Sequence, residues 1–161
     1  MSVDLEASLA ALWGQLDSLS DTEFLAQMQT LTEKLPRAER LFERGAAQDS
    51  TGHPEQAAAL YQEALAEGVT GERRRRAVIQ LASSLRNLGQ PEEALALLTA
   101  EAGQPSDALD GAVATFLALA LADLGREREG LAVALSALAR TLPRYNRSAA
   151  RYAQELLRPA H

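Results

Sequence analysis

Three glycines divide this chain at a nearly constant interval: Gly52, Gly89 and Gly125, separated by 37 and then 36 residues. Their settings are alike: Thr51-Gly52-His53-Pro54-Glu55-Gln56-Ala57, Leu88-Gly89-Gln90-Pro91-Glu92-Glu93-Ala94, and Leu124-Gly125-Arg126-Glu127-Arg128-Glu129-Gly130. A small residue stands seven places before each glycine (Gly45, Ala82, Ala118) and another five places after it (Ala57, Ala94, Gly130). A period of this length means tandem supersecondary units, none of which can bury its apolar face alone. Each unit reads as helix, tight turn, helix. The glycine takes the left-handed conformation that closes the first helix. Pro54 and Pro91 suit the first turn of the next, with Glu55, Glu92 and Glu93 near its positive end. Small residues on both sides let the helices cross closely. Larger ones are expected to fill the space around them: Leu41, Tyr61 and Leu65, then Leu81, Leu85 and Leu98, then Leu117, Leu121 and Leu138.

Aligned on the three glycines, the pattern resembles the tetratricopeptide repeat family, with repeats beginning near Ala38, Arg75 and Gly111. The family's small helix A residue falls on Gly45, Ala82 and Ala118, and its first helix B alanine on Ala57, Ala94 and Gly130. Its helix B aromatic falls on Tyr61, then on Leu98 and Ala134; its second alanine falls on Ala64 and Ala137, with Glu101 breaking the pattern between. The closing proline appears only as Pro143. The stretch from Arg73 to Gly89, Arg-Arg-Arg-Arg-Ala-Val-Ile-Gln-Leu-Ala-Ser-Ser-Leu-Arg-Asn-Leu-Gly, looks most like the short single-domain bacterial "group 5" members. Those members imply a fold and an interaction role, with no activity attached. The expected architecture is all-α: a right-handed α-solenoid of three helix pairs over residues 36–143, an N-terminal helical pair over 1–35, and a capping helix and tail over 144–161, together one domain.

The flanks carry their own signals. Leu5, Leu9, Leu12, Trp13 and Leu16 mark one helical face; Ser20 and Glu23 form a capping box before Phe24, Met28, Leu31 and Leu35. After Pro143, Ala149, Tyr152, Ala153 and Leu156 recur at helical spacing and are expected to face the last repeat. About nine helices and no sheet follow. From Ala112 to Leu124 only Thr115 and Asp123 are polar, so this helix is expected to be buried all round. Ala112, Phe116 and Leu119 would then be covered by flanking helices or by a second subunit.

In this family the A helices line a concave face, which locates a candidate groove. Arg76, Gln80, Ser83 and Asn87 form one polar stripe, extended backwards by Arg73. The preceding A helix offers Glu43 and Asp49, with Glu39, Ala46 and Ser50. The third is nearly apolar. Such a groove suits a protein or peptide partner with an acidic group and an apolar anchor; solvated helix faces are the plain alternative. The family's carboxylate clamp for peptide C-termini is absent, because its places hold Phe42, Ala46, Gln80, Thr115 and Leu119. A self-associating homo-oligomer whose groove is filled by its own subunits is the second reading.

Other chemistry finds little footing. The chain has 161 residues, a formal net charge of −6, two histidines and no cysteine. The acidic balance argues against nucleic acid, even with the run Arg73 to Arg76. His53 lies in a turn, and His161 is the last residue; neither offers a metal site, and no cofactor motif or catalytic constellation is present. Acids at Asp4 and Glu6 do not suit a signal peptide, and no run approaches a membrane span, so the cytoplasm is the default. Lys34 is the single lysine among sixteen basic residues, a usage typical of GC-rich bacterial genomes.

Overall fold

The computed structural model describes residues 3–158, and these form nine helices with no strand among them. In order they are α1 (Val3–Trp13), α2 (Asp21–Thr32), α3 (Arg37–Ser50), α4 (Pro54–Ala66), α5 (Gly71–Asn87), α6 (Pro91–Ala102), α7 (Asp110–Asp123), α8 (Glu127–Ala139) and α9 (Asn146–Glu155). The chain divides into two compact units between Ser84 and Leu85, within α5. His161 lies outside the described residues.

The three expected turns share one hydrogen-bond pattern. Gly52, Gly89 and Gly125 take φ of 79°, 76° and 70°. The N–H of the residue after each glycine donates five residues back: His53 to Gln48, Gln90 to Leu85 and Arg126 to Leu121, each at 2.9 Å. The glycine N–H donates three residues back, to Asp49, Arg86 and Ala122. This double closure satisfies the last carbonyls of a helix and requires a left-handed residue. Pro54 and Pro91 then open α4 and α6 at their first position. A fourth turn has the same form: Gly68, with φ of 80°, ends α4, and the Val69 N–H donates to Ala64.

In the first unit α3 and α4 pair because Gly45 leaves room for a ring. A Cβ built at Gly45 would stand 3.0 Å from Tyr61, and Tyr61 is fully buried. Below this pair, α1 and α2 enclose Leu9, Leu12, Phe24, Met28 and Leu35 against Ala47 of α3. The capping box forms as expected: the Glu23 N–H donates to Ser20 Oγ, and the Ser20 N–H donates to Glu23 Oε2. Arg44 ties α2 to α3, donating to Thr32 Oγ1 at 2.9 Å and to the Gln29 carbonyl at 2.8 Å.

The second unit uses a still closer approach. A Cβ at Gly130 on α8 would lie 2.6 Å from the Ala118 carbonyl oxygen on α7, so backbone meets backbone where the first repeat places an aromatic. With Gly130 turned to α7, Leu131 and Leu138 are rotated about 90° away, and both are exposed. The expected inward role of Leu138 is therefore corrected. On α9, Ala153 is buried against α8, which swings Tyr152 outward to 54% exposure, against expectation. The all-round burial expected for α7 also fails: Thr115 is exposed, Phe116 is half-buried, and Leu119 is 41% exposed. Within this unit α7 packs on α6 and α8, and two neighbours cover only part of a helix surface.

Candidate functional site

Every second helix face in the first unit converges on one place. Along α3, Glu43, Ala46 and Ser50 recur at helical spacing; along α5, Arg73, Arg76 and Gln80 do the same. Helix α1 supplies Glu6, Leu9, Ala10 and Trp13 from a third side. Together they line a cleft of about 280 Å³.

One wall is an ion-pair network. Arg73 Nε donates to Glu43 Oε1 at 2.9 Å, and Arg73 Nη2 donates to both Glu6 oxygens at 2.8 and 3.0 Å. The Trp13 indole N–H donates to Glu43 Oε2 at 3.1 Å. Burial on its own would lower the Arg73 pKa, but the hydrogen bonds it donates to Glu6 and Glu43, with their negative charges, outweigh it and hold that value raised. Glu43 is 4% exposed, so this carboxylate serves α1 and α5 from inside and presents little to a ligand.

Arg76 is placed differently. Its guanidinium lies 5.2 Å from the centre of the Phe42 ring, its side chain is 41% exposed, and Glu72 stands 4.0 Å away. Stacking on an aromatic face fixes the plane of a guanidinium while leaving its edge donors available. Gln80, half-buried beside it, has no donor within reach of its Oε1.

The remaining stripe residues scatter. Ser83 is half-buried, and Asn87 is exposed on the last turn of α5, beyond the division of the chain. Asp49 accepts from Ser84 Oγ at 3.5 Å; burial pushes its carboxyl up, and that bond only partly offsets the rise. A raised carboxyl favours the folded state in its protonated form, so stability is lost as pH rises through the folded pKa. Asp49→Asn should therefore stabilise the protein at pH 7, with the gain vanishing below the unfolded carboxyl value of about 3.9. Urea unfolding at both pH values checks this, and an equal gain at both would refute it.

Of the residues singled out by spacing, Arg73, Arg76, Gln80 and Glu43 line this one cleft. Spacing missed Glu6 and the polar role of Trp13. Glu6 had a visible signal, being an acid on the face that also carries Leu9 and Trp13. Asp123, at the end of the third stripe, accepts from Arg86 Nε at 2.6 Å. His53 Nδ1 lies 3.1 Å from Thr51 Oγ1, within the turn. Among the described residues no helix is long and apolar enough to cross a membrane.

Paired antiparallel helices, closed by equivalent glycine turns and set with small residues at their crossings, define an all-α helical repeat of the solenoid class. The family model described as "Tetratrico peptide repeat", the group 5 model of that repeat, matches residues 26–156, and the chain belongs to the tetratricopeptide repeat family. Repeats of this family generally mediate protein–protein interactions and are typically not enzymes. No curated protein and no solved structure matches the chain.

Proposed function

We propose that this chain is a non-catalytic adaptor or assembly subunit, acting in the cytoplasm, that holds a peptide or helix of another protein in the cleft between α1, α3 and α5. One observation carries the reading. Of the two arginines that line the cleft, Arg73 is bound into the Glu6–Glu43 network, whereas Arg76 is stacked on Phe42 with its edge open to the cleft. A partly desolvated, pre-oriented guanidinium suits a carboxylate on the partner, and Gln80 lines the cleft beside it. Leu9, Ala46 and Trp13 offer the apolar contact.

Affinity for the partner should fall at least about tenfold in Arg76→Glu and by less in Gln80→Ala. The partner would be captured with the wild-type chain and its affinity then measured by calorimetry against each purified variant. Unchanged affinity in Arg76→Glu would remove the cleft from the account. The exposure of Leu119 favours a second reading, in which another copy of the chain covers α7. A dimer that Leu119→Glu dissociates would support it.

A further inference from the structure

Two surfaces remain unused by that reading. The first is a groove of about 610 Å³ between α1 and α2, floored by Leu12 and Leu31 and walled by the small residues Ser8, Ala11 and Ala26. It extends from Ser8 on α1 to Gln15 just past that helix, and from Ala26 on α2 to Lys34 just past the other, a span of about two helical turns. The segment is acidic: residues 4–35 hold six carboxylates (Asp4, Glu6, Asp17, Asp21, Glu23 and Glu33) against Lys34 alone, with Glu6 turned away to Arg73 and Glu33 lying 3.9 Å from Arg44. Asp4 lies one turn before Ser8, Glu23 one turn before Gln27, and Asp17 two residues past Gln15.

The second surface is the outer side of α9. Tyr145 and Tyr152 are exposed and seven residues apart, the same two turns. Residues 140–158 carry five arginines against Glu155 alone. Arg151 folds over the Tyr152 ring at 4.8 Å. Tyr145 has φ of 65°, the one non-glycine residue in the left-handed region among those described. A bulky residue held there costs free energy, and such strain concentrates at working surfaces. Here it ends in an aromatic ring that faces solvent.

We infer that these surfaces bind each other between copies: α9 of one molecule enters the α1–α2 groove of the next. Small residues on the groove walls and aromatic rings on the helix match in shape, the lengths agree, and the acids next to the groove, Asp4, Asp17 and Glu23, would meet an arginine-rich helix. Both tyrosines would exchange water for an apolar slot, while the arginines meet the acids at its rim. The contact is heterologous, because the groove and the helix are different surfaces. Each association therefore leaves one of each free, and growth continues beyond the dimer.

Sedimentation velocity on the full chain tests this with two variants at exposed positions, Ala26→Arg in the groove and Tyr152→Glu on α9. Wild type should gain mass with concentration, with an apparent Kd rising about tenfold between about 0.1 and about 0.5 M NaCl. Each variant alone should remain monomeric. Their equimolar mixture should form a dimer and nothing larger, since one variant keeps its helix and the other its groove. Leu119→Glu should assemble like wild type. If Ala26→Arg loses its helical circular dichroism, Gln27→Arg replaces it on the same wall. A wild type monomeric at about 1 mM, a variant that still assembles, a mixture that stays monomeric, or loss of assembly in Leu119→Glu would each overturn the inference. None of these outcomes bears on the Arg76 cleft.

Discussion

Tyr61→Ala should destabilise the protein by about 4 kcal/mol, while Tyr61→Phe should stabilise it by about 1 kcal/mol. The ring is fully buried between α3 and α4, where the absent side chain of Gly45 makes room for it, and Phe42 packs 6.1 Å away. Removing the ring opens a cavity that close-packed helices cannot collapse into. The hydroxyl is a different matter. It is buried without a hydrogen-bond partner, and burial, with Asp49 nearby, raises the phenol far above its usual range. It stays neutral and unsatisfied, so deleting it removes a desolvation penalty without loss of packing. Urea unfolding followed by circular dichroism reads both changes. A Tyr61→Phe variant less stable than wild type would mean the hydroxyl has a partner after all.

Glu43→Ala should cost about 3 kcal/mol and release α1. Three groups depend on this one carboxylate: the Arg73 guanidinium, with its side chain 22% exposed, the Trp13 indole N–H, and, through Arg73, Glu6. Its loss takes from the partly buried Arg73 its inner partner, leaving only the more exposed Glu6, and leaves the Trp13 N–H without its acceptor. Glu6→Ala removes only the outer half of the network, where the side chain is 45% exposed, and should cost under about 1 kcal/mol. Trp13 is the only tryptophan, so its fluorescence reports on α1 directly. Emission should shift to the red in Glu43→Ala and stay near the wild-type wavelength in Glu6→Ala. An unshifted Glu43→Ala spectrum would show that Leu9, Leu12 and the Trp13–Phe24 contact hold α1 without the carboxylate.

Helix ends were legible in the residues, since glycine, proline and the Ser20–Glu23 box act on backbone within a few positions. Side-chain direction was legible where a small residue forces a close crossing, as at Gly45. It failed where two faces of an Ala- and Leu-rich helix look alike. On α7, and on α8 beyond Glu129, nearly every side is apolar or small, so nothing local says which leucine turns outward. Leu138 and Leu119 were misplaced for that reason; on the polar-faced α9 the small Ala153 took the inner place and left Tyr152 beside it in solvent.

The site divides the same way. Spacing put Arg73, Arg76 and Gln80 on one face of α5, because helical periodicity alone requires it. Whether each charge meets water, a ligand or another side chain depends on groups far along the chain. Glu43 lies 30 residues from both Trp13 and Arg73, and Glu6 lies 67 from Arg73. The sequence alone therefore determined the repeat, its turns and the residues sharing a helix face, all consequences of short-range backbone geometry. Only tertiary packing decided that α1 lies against α3, that Glu43 is an inner partner, and that Arg76 keeps its edge free, because Coulomb and apolar contacts act through space and leave no periodic mark.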